Sequence, residues 1–442
     1  MKIAQRKRYN FMHFILTTLG CKVNQYESSG LYSELLRLGF KPVSGDKTAD
    51  IFILNSCTVT ENSDKKTRRL INAAKTKNPN VITVLTGCLP QAFPEAARVL
   101  GADIICGTSN RKELPEMINE FVKRRNIGET VERIMPHPLE YEDFPGFKPI
   151  GGRTRAFIKI QDGCDCNCAY CIVPAARGSP RSRPIHDVEA EARAAAKAGY
   201  KEIVLTGINL TRYKTSSSFT LSDAVQVVSK HVQRVRLSSV EPDLLSDNLL
   251  EALALAAGLA PHFHLSLQSG SDGVLARMCR NYTADDYYAR IEKIRSLFGE
   301  DCAFTTDMIV GFPGETEQEF KESLDFAYKI GFSKIHVFPF SMRQGTSAAL
   351  MENQIPEKIK LERRDSLMQA AAQMRQDFLT AQIGKTLSVL VEKRTTPNEV
   401  FGHAENYAPV KIISKTADSV NRNEILNVKI TETRDGFCVG KY

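Results

Sequence analysis

A chain of 442 residues is longer than one ordinary domain and predicts two or three. Its composition, 42% hydrophobic and 25% charged, is typical of a soluble globular protein, and no apolar run reaches the ~18 residues that a membrane span needs. The basic start, residues 1–12, lacks an apolar core and a cleavage site, so we expect a leader, no membrane partner and a cytoplasmic location. A net charge of +8 permits a polyanionic partner but also fits an ordinary solvated surface.

The segment 13–128 alternates between apolar runs and amphipathic stretches, which predicts an open α/β domain. Its clearest strands are predicted at His13–Thr18, 51–54 and 81–86. A cysteine follows closely after each strand: Cys21, Cys57 and Cys88. Ligands gather at the carboxyl edge of open parallel sheets, so these cysteines would form a three-thiolate site if they converge. A lone cysteine is more often a small buried hydrophobe, and Cys106, after another strand-like run, is a competing ligand.

Three further regions follow along the chain. Prolines and glycines interrupt the pattern over 129–152, which predicts a linker. From 153 to 378 six strands alternate with helical segments, which predicts a (β/α)6 partial TIM-type barrel in an α/β protein. The six strands are predicted at 156–160, Glu202–Thr206, 235–238, 262–267, Ala303–Val310 and 334–338. The tail, 379–442, has short β-rich runs between polar turns and predicts a small β-barrel.

The densest group of the eleven cysteines lies at the start of the barrel region, where Cys164, Cys168 and Cys171 form a Cys-x3-Cys-x2-Cys pattern. Disulfides are disfavoured in a chain without an export signal, so clustered cysteines indicate metal or redox chemistry. Three thiolates bind three irons of a 4Fe–4S cluster and leave the fourth iron open to a cofactor. Zinc is the alternative, because Cys166 adds a fourth cysteine, but alternating cysteines would crowd a tetrahedral site.

A series of motifs in fixed order identifies a family. They include Thr18-Leu-Gly-Cys-Lys-Val-Asn-Gln-Tyr-Glu27, Asn55-Ser-Cys-Thr-Val-Thr60, Thr86-Gly-Cys88, the cysteine loop, Asp307-Met-Ile-Val-Gly-Phe-Pro-Gly-Glu-Thr316 and His336-Val-Phe-Pro-Phe-Ser341. With these motifs the chain, from about Met12 onward, resembles the methylthiotransferase family of radical S-adenosylmethionine enzymes. The residues around Cys21 and Cys57, with Ser63-Asp-Lys-Lys66, resemble the branch that modifies threonylcarbamoyladenosine in tRNA.

The resemblance implies two 4Fe–4S clusters. Cys164, Cys168 and Cys171 would hold the cluster that binds S-adenosylmethionine, and Cys21, Cys57 and Cys88 would hold an auxiliary cluster that carries the sulfur. It further implies that the tail is an RNA-binding domain of the TRAM type. A radical is needed because no acid or base of ordinary pKa removes hydrogen from an unactivated aromatic carbon.

Candidate S-adenosylmethionine ligands lie at the ends of the barrel strands. Gly207 follows the second strand, where a backbone without a side chain lets a ligand amine approach, although a plain turn glycine is the alternative. Glu241 and Gln268 follow the third and fourth strands, where a ribose or the amino-acid end could be hydrogen-bonded. Gly311 resembles the adenine-side glycine turn of the family, and Phe338 is a candidate to stack on adenine or to be an ordinary core aromatic.

Candidate RNA contacts lie in two places. Arg177, Arg181 and Arg183 follow the cysteine loop, where they could bind anticodon-loop phosphates or pair with carboxylates of the barrel. In the tail the candidates are Lys385, Lys393 and Arg394, with Phe401 or Tyr407 stacking on a base. A spacer between domains is the alternative for the tail.

The sequence therefore predicts methylthiolation of carbon 2 of N6-threonylcarbamoyladenosine 37 in tRNA, with a low-potential electron donor such as flavodoxin or ferredoxin. Two alternatives stay open. One is a methylthiotransferase that acts on a ribosomal-protein aspartate, and the other is a non-catalytic iron–sulfur protein that binds RNA.

Overall fold

The computed structural model describes residues 12–43, 48–124, 128–144, 153–413 and 420–442. The predicted leader, apart from Met12, and the 145–152 part of the predicted linker lie outside the described residues. The chain divides into two compact units. The first unit comprises 1–150, 161–183 and 342–346, and the second comprises 151–160, 184–341 and 347–442. No helix within the described ranges combines the length and the apolar character that crossing a bilayer requires.

The first unit is built on a parallel sheet of six strands. In spatial order the strands are Lys41–Pro42, His13–Thr18, Ile51–Ser56, Ile82–Gly87, Ile104–Cys106 and Val131–Arg133. Every residue of Ile51–Ser56 is buried, as expected for a central parallel strand that is covered on both faces. The three strands predicted here are confirmed, and three shorter ones extend the sheet.

Helices cover this sheet, and their apolar faces form its core. They are Lys22–Arg37, Glu61–Lys77, Cys88–Ala92, Pro94–Arg98 and Leu114–Arg124, with a 3-10 turn at Arg111–Glu113. The helix Lys22–Arg37 buries Leu31 and Leu35 against Phe14 and Ile53 of the strands. The cysteine loop also belongs to this unit. It lies between two short antiparallel strands, Gln161–Asp162 and Arg181–Ser182, and is followed by the short helix Val173–Arg177.

The second unit contains an arc of parallel strands in chain order. They are Arg155–Lys159, Glu202–Thr206, Arg234–Leu237 continued by Ser239–Val240, His262–Leu265, Ala303–Val310 and Lys334–Pro339. The third strand is interrupted at Ser238, so its first part pairs with the second strand and its last part with the fourth. Within the described residues the first and last strands each pair on one side only, which makes the barrel a partial one, as predicted.

Helices alternate with these strands, as a (β/α)6 arrangement requires. They are Ile185–Lys197, Leu221–Ser229, Asp247–Ala254, Asp272–Arg277, Ala284–Phe298, Glu317–Ile330 and Glu357–Thr380. Short 3-10 turns lie at Leu210–Arg212, Pro242–Leu244 and Ser347–Ala349.

The tail forms a closed β-barrel, which confirms the small barrel predicted from the sequence. Its strands are Thr386–Thr396, Glu399–Ala404, Pro409–Ile413, Ile425–Arg434 and Phe437–Lys441. Alternate residues point inward and make an apolar core that includes Val389, Val400, Val410 and Val428. Because the strands close on themselves, the barrel has no free sheet edge.

A buried carboxylate ties this small barrel to the arc within the second unit. The side chain of Glu202 is fully buried and accepts hydrogen bonds from Arg155 Nε at 2.7 Å, Arg236 Nε at 2.9 Å and an Arg234 NH group at 3.2 Å. Arg155 also pairs with Glu392 of the small barrel at 2.6 Å. Burial alone would raise the pKa of Glu202, but the three guanidinium groups outweigh it and hold that pKa well below its ordinary value.

Replacing Glu202 by glutamine should lower the stability of the second unit by about 3–5 kcal/mol, because it leaves three buried guanidinium groups without their counter-charge. A lowered carboxyl pKa gives stability that is present above the ordinary pKa and lost as the pH falls. The difference in urea midpoint between the two proteins, followed by circular dichroism, should therefore be larger at pH 7 than near pH ~4. Glu251→Gln, in an exposed pair with Lys293, is the control and should change the midpoint little. Equal midpoints for E202Q and E251Q would contradict this assignment.

Candidate functional site

The three N-terminal cysteines meet at the carboxyl edge of the first sheet. Cys21 is the N-cap of the helix Lys22–Arg37, Cys57 directly follows the strand Ile51–Ser56, and Cys88 opens the helix Cys88–Ala92. Burial is the main cause that raises the pKa of Cys88, to about 11, and the neighbouring Cys57 and Cys21 raise it further. Each thiol therefore lies within electrostatic range of the others, and the structure brings the three together.

Two glycines make this convergence sterically possible. Gly20 has φ +95°, and a Cβ built there would lie 2.7 Å from Cys57 Cβ and 3.0 Å from Cys57 Sγ. Gly87 has φ +103°, and a Cβ there would lie 2.4 Å from the carbonyl oxygen of Ser56. Only glycine fits both positions, which explains why a glycine precedes both Cys21 and Cys88 in the sequence.

Cys106, the competing ligand, lies in a different environment. It ends the strand Ile104–Cys106, is fully buried and belongs to the apolar core with Phe14 and Ile53. Burial raises the pKa of its thiol to about 11, and nearby charges that act on it include those of Arg111, Glu113 and Arg133. Its surroundings are those of a core cysteine.

The second cysteine group lies on the loop after the strand Gln161–Asp162. Cys164 N donates to Gly178 O at 2.9 Å, which anchors the start of the loop, and Cys171 N donates to Cys168 O at 3.0 Å, which closes a turn within it. The four thiols here are half-buried. The backbone N–H of Cys166 donates to Cys164 Sγ at 3.4 Å, a hydrogen bond of the type that stabilises a ligating thiolate.

The same loop also holds a group of side chains that could bind a single metal ion such as zinc. The ligand atoms of Cys164, Asp165 and Cys166 lie within 4.8 Å of one another. Three consecutive residues are a crowded ligand set for a tetrahedral ion, whereas Cys164, Cys168 and Cys171 leave one corner of a cubane open. The donors at this loop fit an iron–sulfur cluster.

A hydrogen-bond network joins the residues after Cys57 to the segment 342–346 of the first unit. Thr58 Oγ1 donates to Asp64 Oδ1 at 2.7 Å, and an Arg343 NH2 group donates to Thr58 Oγ1 at 2.7 Å and to Asp64 Oδ2 at 2.6 Å. The guanidinium carbon of Arg343 also lies 4.9 Å from the centre of the Phe93 ring. These contacts fix the loop that carries Cys57.

The arginines after the cysteine loop are used inside the protein. Arg177 is 1% exposed and donates to Glu27 and Asn24. Arg181 is also buried and donates to the carbonyl oxygens of Ser179 and Arg177, each at 2.9 Å. Both side chains are therefore bonded to carboxylate, amide or carbonyl groups of the protein. The carboxylate partner Glu27 belongs to the first unit, whereas the carboxylate partner expected from the sequence was one of the barrel. We therefore do not propose Arg177 or Arg181 as phosphate ligands.

The five candidate S-adenosylmethionine residues lie at or just beyond the carboxyl ends of strands in the arc. They are Gly207, Glu241, Gln268, Gly311 and Phe338. The Glu241 carboxylate pairs with Arg280, and its burial raises its pKa. Gln268 has φ +69°, and its backbone bonds to Asp307 O and Ile309 N, each at 2.9 Å.

Gly207 is half-buried directly after the second strand of the arc, and Gly311 and Phe338 differ in what they offer a ligand. Gly311 has φ +69°, and its N–H donates to Glu315 Oε2 at 2.6 Å. A Cβ at Gly311 would lie 2.4 Å from Lys360 Cγ, so the turn requires glycine. Phe338 is 41% exposed, which leaves its ring accessible.

Sequence reasoning missed a polar group on the arc. The ligand atoms of His264, Asp307 and His336 lie within 4.8 Å of one another. His264 Nε2 is 3.4 Å from Asp307 Oδ2, and His264 Nδ1 is 2.9 Å from Thr305 Oγ1. Phe263 and Leu265 are fully buried on the opposite face of the same strand. The alternation His-Phe-His-Leu was the available signal, because a strand covered on both faces is expected to be continuously apolar.

Comparison with known proteins agrees with this geometry. Residues 13–107 match Uncharacterized protein family UPF0004, and residues 158–327 match the Radical SAM superfamily. The chain is 37% identical to Threonylcarbamoyladenosine tRNA methylthiotransferase MtaB of Bacillus subtilis, over 96% of this chain and 95% of that protein. It is 38% identical to the protein of the same name from Thermotoga maritima, over 89% of each. A tRNA-2-methylthio-N(6)-dimethylallyladenosine synthase of Symbiobacterium thermophilum is 33% identical, over 94% of this chain and 91% of that protein.

Solved structures agree on the fold. The radical S-adenosylmethionine methyltransferase TsrM of Kitasatospora setae superposes with a TM-score of 0.55 at 14% identity, covering 76% of this chain and 74% of that one. The chain belongs to the methylthiotransferase family of radical S-adenosylmethionine enzymes. Superfamily membership implies S-adenosylmethionine and a 4Fe–4S cluster.

Single replacement of Cys21, Cys57 or Cys88 by alanine should each remove about four iron atoms per chain from the reconstituted protein, the content of one cubane. Cys106→Ala is the matched control, since Cys106 is a buried cysteine of the same sheet, and it should keep the full iron content. Iron and acid-labile sulfide analysis measures the difference. A loss of iron in C106A equal to that in C88A would show that the ligand set is assigned wrongly.

Proposed function

We propose that this protein transfers a methylthio group to carbon 2 of N6-threonylcarbamoyladenosine 37 in tRNA, giving the 2-methylthio derivative. The observation that carries the proposal is the presence of two three-cysteine groups in the first unit. The names of the relatives that are 37% and 38% identical over most of their length support this nucleoside as the substrate.

The donor sets fit two iron–sulfur clusters. Cys164, Cys168 and Cys171 would hold the cluster that binds S-adenosylmethionine, and Cys21, Cys57 and Cys88 would hold an auxiliary cluster. When bound, these groups supply the one-electron reductive cleavage of S-adenosylmethionine and the sulfur for transfer. A low-potential donor such as flavodoxin or ferredoxin would provide the electrons.

The residues of the chain hold and shield these groups. Cys57 and Cys88 are each 8% exposed, whereas Cys21 is exposed, so two of the three thiols are shielded from water and the third is open to solvent. The amide of Cys166 donates to the sulfur of Cys164, the bond from Cys164 to Gly178 anchors the start of the loop, and the bond from Cys171 to Cys168 closes a turn within it. At the strand ends of the arc, Gly207, Glu241, Gln268, Gly311 and Phe338 are proposed to bind S-adenosylmethionine.

The small barrel offers an RNA-binding face that we call the aromatic–lysine face, made of Phe401, Phe437, Lys393 and Lys411. Lys393 Nζ lies 5.4 Å from the centre of the Phe401 ring, and Lys411 Nζ lies 5.1 Å from that of Phe437. The two rings are 6.5 Å apart and half-buried. A half-buried aromatic ring beside ammonium groups suits a base with its phosphate.

The other tail candidates are engaged within the protein. Tyr407 stacks on His403 at 4.8 Å and lies 4.6 Å from the guanidinium of Arg236. Lys385 pairs with Asp301, and Arg394 donates to the carbonyl oxygens of Pro397 and Val420. Phe401 with Lys393 is therefore the stronger proposal for an RNA contact, and Arg183, which donates to the Tyr26 hydroxyl at 3.2 Å, is a weaker one.

The proposed activity is tested with the reconstituted full-length protein under anaerobic conditions. Incubation with S-adenosylmethionine, dithionite and tRNA that carries N6-threonylcarbamoyladenosine should produce its 2-methylthio derivative, detected by mass spectrometry of nucleosides. Cys168→Ala is the control and should give no product. A parallel reaction uses tRNA that carries isopentenyladenosine, and modification of that tRNA alone would contradict the proposed substrate. Absence of 5′-deoxyadenosine in the wild-type reaction would instead favour a non-catalytic RNA-binding protein.

Replacing Phe401 by alanine should weaken tRNA binding by about tenfold or more, because one base loses its stacking partner. Lys393→Gln should reduce the salt dependence of binding, because one phosphate contact is lost. Both are measured by filter binding at several salt concentrations. Tyr328→Ala removes an aromatic ring that is 49% exposed on the helix Glu317–Ile330, and it should bind like wild type. If F401A also binds like wild type, the aromatic–lysine face does not contact RNA.

A further inference from the structure

Arg177 connects the cysteine loop to the helix that follows Cys21. It ends the short helix Val173–Arg177, six positions after Cys171, and is fully buried. Its guanidinium donates to both carboxylate oxygens of Glu27, at 2.5 and 3.0 Å, and to Asn24 Oδ1 at 2.5 Å. Asn24 and Glu27 lie on the first two turns of the helix Lys22–Arg37.

Asn24 in turn holds the backbone next to two of the auxiliary cysteines. Its Nδ2 group donates to Leu19 O at 2.9 Å and to Ser56 O at 3.0 Å. Leu19 lies two residues before Cys21, and Ser56 directly precedes Cys57. Because Arg177 binds the amide oxygen of Asn24, it fixes the orientation in which the amide nitrogen reaches both segments.

Buried charged groups of both signs surround Arg177. The cations are Arg111, Arg177 and Arg181, and the anions are Glu27 and Asp162. The same Asn24 Oδ1 atom that accepts from Arg177 lies 3.8 Å from Cys21 Sγ, which brings the guanidinium charge close to that thiol. Within the described residues the Nε–H of Arg177 has no hydrogen-bond acceptor, and a buried unpaired donor is unfavourable by about 1–3 kcal/mol. A thiolate or sulfide is an acceptor that could satisfy it.

We propose that Arg177 is a positioning residue of the auxiliary site. Through Asn24 it fixes the segments that carry Cys21 and Cys57. Its positive charge raises the reduction potential of the cluster that Cys21, Cys57 and Cys88 would hold. The proposal rests on the proposed function, since it requires the auxiliary cluster. A positive charge favours the reduced state, which carries one more negative charge, so its removal lowers the potential.

The test isolates the auxiliary cluster in a full-length parent protein in which Cys164, Cys168 and Cys171 are all alanine. Arg177→Met removes the charge and the hydrogen bonds, Arg177→Lys keeps the charge, and Arg183→Met is the matched control from the same segment. Iron and sulfide content, circular dichroism and the midpoint potential, from a reductive titration followed by electron paramagnetic resonance, are measured for each. We expect R177M to have a more negative potential than R183M, with R177K closer to the parent.

The outcomes separate a role at the site from a role in folding. A folded R177M that loses iron supports the proposal, because the site then depends on Arg177. An R177M with the iron content and potential of R183M overturns it. Unfolding of both Arg177 variants also overturns it, since Arg177 would then serve the fold as a whole. Absence of iron from the parent itself would overturn the proposed auxiliary cluster, and this result is distinct from all the others.

Discussion

The carboxyl ends of parallel strands meet at one edge of a sheet, and the approach of Cys21, Cys57 and Cys88 depends on this constraint. Cys21, Cys57 and Cys88 are more than thirty residues apart along the chain, yet each follows a neighbouring strand and therefore lies near the other two. The close approach also needs Gly20 and Gly87, whose positions have no room for a side chain. Sheet topology thus supplies the proximity, and glycine removes the steric barrier.

Each unit contains a buried glutamate that is surrounded by arginines. Glu27 binds Arg111 and Arg177 in the first unit, and Glu202 binds three arginines in the second. A buried ion pair offers little net stability relative to apolar residues, but the loss of one partner is strongly destabilising. We therefore infer that these networks fix the arrangement of the elements that they join rather than add net stability. The Glu27 network joins the helix after Cys21 to the segment after the cysteine loop, and the Glu202 network joins the small barrel to the arc.

Much of this architecture could be predicted from the sequence because its central strands are continuous apolar runs. The strand His13–Thr18 was predicted with its observed bounds, and Ile51–Ser56 was predicted two residues short. The two- and three-residue strands at Lys41–Pro42 and Val131–Arg133 have too few residues to show a period. The break at Ser238 is a tertiary effect, since the third strand changes partner there.

The roles of individual polar residues were harder to predict. Arg177 lies 150 positions from Glu27 in sequence, so no local pattern shows that it is buried. The sequence left two roles open for it, a phosphate ligand or a pair with a carboxylate of the barrel, and the fold pairs it with Glu27 of the first unit. The spacing of Cys164, Cys168 and Cys171 is a local pattern, and the strand ends before Cys21, Cys57 and Cys88 are also visible in the sequence. The partners of Arg177 depend on long-range packing, which no local pattern shows.

The two cysteine groups are proposed to have separate tasks, and product analysis of Cys88→Ala distinguishes them. In one anaerobic reaction with S-adenosylmethionine, dithionite and substrate tRNA, both 5′-deoxyadenosine and the methylthiolated nucleoside are quantified. This variant should still form 5′-deoxyadenosine, because Cys164, Cys168 and Cys171 are intact, and it should form no methylthiolated nucleoside. Methylthiolation at the wild-type level would contradict the assignment of Cys21, Cys57 and Cys88 to sulfur transfer.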